Sequence, residues 1–115
     1  MSCETVKITL QVMSGKWKPM ILWSIHKIPR RFNELTREVS GITPKMLSQQ
    51  LRELEHEGII QREVFQTVPP HVEYSMTTYG STLCPVLEVM AAWGENHTYH
   101  QKLNQAKTNE TSRSS

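Results

Sequence analysis

Lys45, Ser48, Gln49 and Arg52 are side chains of the kinds that hydrogen-bond base edges and phosphates, and all four fall on one side of a helical period between Thr43 and Glu57. Leu47, Leu51 and Leu54 recur at i, i+4, i+7 and fill the opposite side. One face can anchor the helix while the other stays free. The free face carries no carboxylate in its N-terminal half, the end that a recognition helix points into a major groove.

The elements that must hold this helix are punctuated by glycine and proline. Val6, Leu10 and Met13 mark a first helix ending before Gly15. Pro19 opens a second, strongly apolar helix through Met20, Ile21, Leu22 and Ile25. Phe32, Leu35 and Val39 mark a short third helix after the basic pair Arg30 and Arg31, and Ser40-Gly41 ends it. Thr43 is placed to cap the fourth helix, with Pro44 at its first position and Gly58 just beyond its end. The third and fourth helices, joined by a turn of about three residues, have the layout of a helix-turn-helix.

From Ile59 the pattern changes. IIQREVFQ and VEYSMT are rich in β-branched and aromatic residues and flank Thr67 to His71, whose two prolines suit a hairpin tip. Helical spacing resumes from Thr78 to about His97. Leu83, Leu87 and Met90 form one stripe and Val86, Val89 and Trp93 another, more apolar surface than one small domain needs, so one stripe is expected to meet a second subunit. Pro85 should kink this helix or mark a restart. The fold expected is mainly α with a small β-hairpin, a winged helix-turn-helix over residues 1–98. Residues 99–115 are polar and without apolar period, and are expected to be a disordered tail.

The 115 residues suffice for one domain with a workable core, and no apolar run is long enough to span a membrane. MSCETVK has no apolar signal core, which points to a cytoplasmic protein. The formal net charge of +2 conceals an asymmetry: residues 1–52 hold 9 Lys and Arg against 3 Glu, and residues 53–98 hold 1 against 7. A basic first half can attract phosphates. Catalysis has no constellation to carry it: the chain has no aspartate, glycine-rich phosphate loop, G-x-S-x-G or H-E-x-x-H, and no cofactor is called for. His97 and His100 lack a third ligand, so no metal is expected.

GKW at 15–17, RRFNEL at 30–35, ITPKMLSQQLRELEHEGII at 42–60, VPPHVEYSMTTYG at 68–80 and WG at 93–94 together resemble the HxlR family of bacterial winged helix-turn-helix transcription regulators, in order and spacing over roughly residues 3–94. The resemblance implies a homodimer formed through the first and last helices, presenting two recognition helices to successive major grooves of a double-stranded DNA operator. Some family members sense oxidants or electrophiles through a cysteine near the start of the first helix, and Cys3, 14 residues before Trp17, stands at that place. A helix start and Lys7 favour a thiolate there, and Glu4, where the family commonly has proline, opposes it. His71 stands where a lysine often follows the two prolines.

The expected DNA-contacting residues are therefore Thr43, Pro44, Lys45, Ser48, Gln49 and Arg52, with Arg30, Arg31, Lys16, Lys18 and His71 as outer phosphate candidates and Cys3 as the candidate redox sensor. Cys84, inside LCPVL, is expected to be a packing residue. Two alternatives stand beside this reading: a regulator that responds to a ligand without thiol chemistry, and a winged-helix module that binds protein through its acidic second half.

Overall fold

The computed structural model describes residues 1–113, ordered as α1 (Cys3–Val12), α2 (Lys18–Ile25), β1 (Arg30–Arg31), α3 (Phe32–Glu38), α4 (Pro44–His56), β2 (Ile60–Phe65), β3 (His71–Met76), a 3-10 turn (Gly80–Leu83) and α5 (Cys84–Arg113). Residues 1–84 pack as one unit and residues 85 onward form a second. No helix among the described residues is long and apolar enough to cross a membrane.

The core of the first unit is the meeting place of three helical stripes. Ile21, Leu22 and Ile25 of α2, Leu35 and the adjoining Val39 of α3, and Leu47, Leu51 and Leu54 of α4 are all buried. Burial of each such side chain is worth roughly 1.5–3 kcal/mol, whereas an exposed ion pair contributes about 0–1 kcal/mol, so these stripes decide how α4 is seated. Both ends of α4 are closed. Thr43 Oγ1 accepts from the Met46 amide at 3.1 Å with Pro44 following. At the other end Gly58, at φ 76°, lets its own amide reach Glu55 O at 3.0 Å and the Ile59 amide reach Leu54 O at 3.1 Å, the paired bonds of a Schellman stop.

β2 and β3 form the hairpin, registered from Ile60 opposite Met76 to Phe65 opposite His71. Its third partner was not foreseen: Arg30 and Arg31 pair with Tyr74 and Glu73, giving a three-stranded antiparallel sheet of order β1-β3-β2. A two-residue strand has no period to detect, and only the distant hairpin reveals it. The hairpin is tied back at its exit by Thr77, whose Oγ1 donates to Gly58 O at 2.6 Å and accepts from the Gly80 amide at 2.8 Å. This draws Gly80 so close to Ile59 that an added Cβ would lie 1.9 Å from the Ile59 carbonyl oxygen.

α1 carries Val6 and Leu10 of the stripe expected of it and buries none of its residues, leaving Val6, Ile8 and Leu10 exposed, while Met13, just past its end, is buried. α5 begins at Cys84, so Pro85 occupies a first turn and the 3-10 turn before it supplies the expected restart. Leu87 is buried, while Val86, Val89, Met90 and Trp93 are exposed. The expected disordered tail is corrected in part: residues 99–113 continue α5, and residues 114–115 lie outside the described residues. Short polar periods hold there without an apolar stripe, as in the His100–Asn104 side-chain hydrogen bond of 3.2 Å.

Gly80→Ala should destabilise the protein by at least about 1–3 kcal/mol, because the atom in the way is backbone and cannot rotate aside. Urea unfolding of the variant measures it, and an unchanged midpoint would contradict the close approach.

Candidate nucleic-acid interface

The three leucines fix which way α4 faces. With Leu47, Leu51 and Leu54 against the core, Lys45, Gln49 and Arg52 project outward and exposed, and Ser48 lies half-buried beside them. Thr43 and Pro44 are exposed at the helix entrance, where Thr43 is occupied as the cap. Lys45, Gln49 and Arg52 line a shallow groove whose fourth member is Glu53. That residue was not foreseen as part of the site, although its i, i+4 relation to Gln49 was visible.

Glu53 links this face to α2. Its carboxylate lies 2.8 Å from Lys18 Nζ, and the Lys18 side chain is only 8% exposed. Hydrogen bonding to Lys18 and the charge of that ammonium hold the Glu53 carboxyl below its ordinary value, with a further contribution from a hydrogen bond with the Gln49 side chain. Lys18, an outer phosphate candidate from sequence, is therefore buried in an ion pair. It neutralises a carboxylate that would otherwise stand bare on the exposed face.

The basic pair divides. Arg30 Nε donates to Ser24 O at 3.0 Å, and its Nη1 stands 3.9 Å from both Glu34 and Glu38. Its guanidinium fastens α2 to α3. Arg31 is exposed, its amide donating to Glu34 Oε1 at 2.9 Å to cap α3, which leaves its side chain the better placed of the two for phosphate. Lys16 lies over the Trp17 ring at 4.7 Å, a cation–π contact.

The wing is more self-contained than expected. His71 Nε2 is 2.9 Å from Glu73 Oε2, Nδ1 is 3.0 Å from Thr67 Oγ1, and the ring stacks on Phe65 at 4.7 Å. Both ring nitrogens are engaged within the hairpin, so His71 stiffens the wing.

Cys3 is the first residue of α1 and exposed, following a cap in which Thr5 Oγ1 accepts from the Ser2 amide at 2.9 Å and donates to Ser2 O at 2.7 Å. Cys84 is half-buried, its thiol directed at His26 O at 3.7 Å. Among the described residues no group of three or more His, Cys, Asp or Glu side chains is arranged to hold a metal ion.

The sequence profile of the HxlR-like helix-turn-helix family matches residues 12–102. The chain is 48% identical over 93 residues to YtcD of Bacillus subtilis (strain 168), described as an uncharacterized HTH-type transcriptional regulator, covering 81% of this chain and 74% of that protein. Among solved structures it is similar to the redox regulator HypR in its reduced form, with a TM-score of 0.78 and 47% identity over 82% of this chain and 93% of the other. It is also similar to the reduced form of the transcriptional regulator YodB from B. subtilis, with a TM-score of 0.72 and 32% identity over 83% and 93% of the two chains. HypR and YodB have also been solved in an oxidized and a diamide-treated form respectively.

Because the folded-state pKa of Glu53 is depressed, the stability it contributes is present above the ordinary carboxyl value of 4.5 and is lost as pH falls through the lowered one. Glu53→Gln should be less stable than the parent at pH 7, where Lys18 is left without its counter-charge, and should show a shallower loss of stability below about pH 4.5. Urea midpoints across pH 3–7 give both slopes, and parallel curves would contradict the pairing.

Proposed function

The chain belongs to the HxlR-like helix-turn-helix family of transcription regulators, and from that premise we propose that it binds a double-stranded DNA operator as a homodimer, with α4 as the recognition helix. The observation that carries this reading is the exposure of Lys45, Gln49 and Arg52 on a capped helix whose opposite side is buried to the last leucine. Lys45, Ser48 and Gln49 stand nearest the helix start and read bases. Arg52, Arg31 and Lys16 reach phosphates, which set affinity and carry no sequence information.

The dimer is formed through α1 and α5. Val6, Ile8 and Leu10 on the one, and Val86, Val89, Met90 and Trp93 on the other, are large apolar side chains exposed in the single chain, a pattern that fits burial against a second copy. Two recognition helices then enter grooves about one helical turn apart on a near-palindromic site.

Control of binding runs through Cys3. The thiol is exposed at the start of a helix that serves the dimer contact, so its oxidation by a small oxidant, or its alkylation by an electrophile, rotates one subunit against the other and takes the recognition helices out of register. That HypR, to which the chain is similar, is a redox regulator supports a redox-responsive reading.

Operator affinity should fall steeply with salt, the logarithmic slope being about −0.9 for each phosphate neutralised. Lys45→Ala and Gln49→Ala should each cost on the order of 1–3 kcal/mol on operator DNA and much less on random DNA. Fluorescence anisotropy with both duplexes reads these effects; an unchanged operator-to-random ratio in both variants would remove the two residues from the reading set. Weak salt dependence would favour a protein partner instead.

Diamide should release the parent protein from DNA and leave Cys3→Ser bound, with Cys84→Ser behaving like the parent. Release of Cys3→Ser would end the thiol mechanism and favour a regulator that responds to a ligand without thiol chemistry.

A further inference from the structure

The hydrogen bonds around His71 fix the protonation state that the closed hairpin tip requires. Thr67 Oγ1 donates to Pro69 O at 2.8 Å, which uses its single proton. Toward His71 Nδ1, 3.0 Å away, the same hydroxyl can only accept, so Nδ1 carries a hydrogen. Nε2 lies 2.9 Å from Glu73 Oε2, and an ionised carboxylate only accepts, so Nε2 carries one as well. Two ring N–H groups make an imidazolium. Three charged side chains share this face of the sheet with it: Glu73 on β3 itself, and Glu63 of β2 and Arg31 of β1, each directly opposite Glu73. Phe65 of β2 stands opposite His71 and stacks on the ring.

Loss of the ring's extra proton removes one donor, and the network cannot then stay whole. Keeping the bond from Nε2–H to the carboxylate, which is charge-assisted and the stronger of the two, leaves a lone pair at Nδ1. The Thr67 hydroxyl must turn to donate to that lone pair and so release Pro69 O, loosening the tip that carries the fully exposed Val68. We propose that Thr67, His71 and Glu73 form a proton-operated latch on the wing, closed by the imidazolium and opened by the neutral ring. Resting on the DNA-binding reading above, the wing offered to an operator is then stiffer and less acidic at low pH, and both changes favour contact with phosphate-bearing DNA.

The latch is read on the full-length protein without DNA, from the imidazole 15N shifts of His71 and the carbonyl 13C shift of Pro69 between about pH 5 and pH 8, the span in which histidine titrates. In the parent the two should move together, the neutral ring appearing as the Nε2–H tautomer. In Thr67→Val the ring should still titrate while the Pro69 signal stays put. In Glu73→Gln the side-chain amide can donate to Nε2, so the neutral ring should take the Nδ1–H tautomer and Pro69 should again not respond. A Pro69 signal that ignores His71 in the parent, or a Glu73→Gln ring that keeps the Nε2–H tautomer, overturns the latch. On operator DNA the parent should bind more tightly than Thr67→Val near pH 5, by the roughly two- to tenfold that one net hydrogen bond represents, and equally near pH 8. Equal affinities at both pH values, with the latch signals intact, overturn the wing's part in binding. Failure of both proteins to bind any operator overturns the DNA reading, and the signals of the free protein decide the latch separately.

Discussion

The seating of α4 by Leu47, Leu51 and Leu54 is the constraint on which the interface depends. These side chains are 0–2% exposed, and a rotation of the helix that exposed them would forfeit several kcal/mol, more than any arrangement of its surface charges could return. The closed ends set by Thr43 and Gly58 fix where the helix begins and stops. The outward direction of Lys45 and Gln49 is thus a consequence of apolar burial.

Charge is arranged around that frame in two ways. Some basic residues are used up inside the fold: Lys18 on Glu53, and Arg30 on the Ser24 carbonyl with Glu34 and Glu38 nearby. Others remain outside, namely Lys45 and Arg52 on α4, Arg31 at the start of α3 and Lys16 before α2. The internal pairs join α2 to α3 and α4, so the helices that present the outer charges are held by the inner ones. A sequence-wide count of Lys and Arg cannot separate the two groups, since both occur in the same basic first half.

The helix-turn-helix and the hairpin were legible because their signals are local. A leucine every third or fourth residue, threonine then proline at one end and glycine at the other define α4 without reference to the rest of the chain. What escaped depends on contacts distant in sequence. β1 exists only because Arg30 and Arg31 meet Tyr74 and Glu73; Lys18 is buried only because Glu53, more than thirty positions later, arrives beside it. His71 looked like a surface substitute for a lysine, and the hairpin register places Phe65 opposite it, where the two rings stack. The continuation of α5 beyond residue 98 was missed for the opposite reason, because it has no apolar stripe to announce it.

The most direct test of the central claim is a titration of the isotopically labelled protein with its operator duplex, followed by backbone amide chemical shifts. The largest changes are expected between Lys45 and Arg52, smaller ones at Arg31 and the hairpin, and little at Leu54 and the buried stripe of α2. Changes confined to other segments, with the amides of residues 45–52 unmoved at saturation, would contradict it.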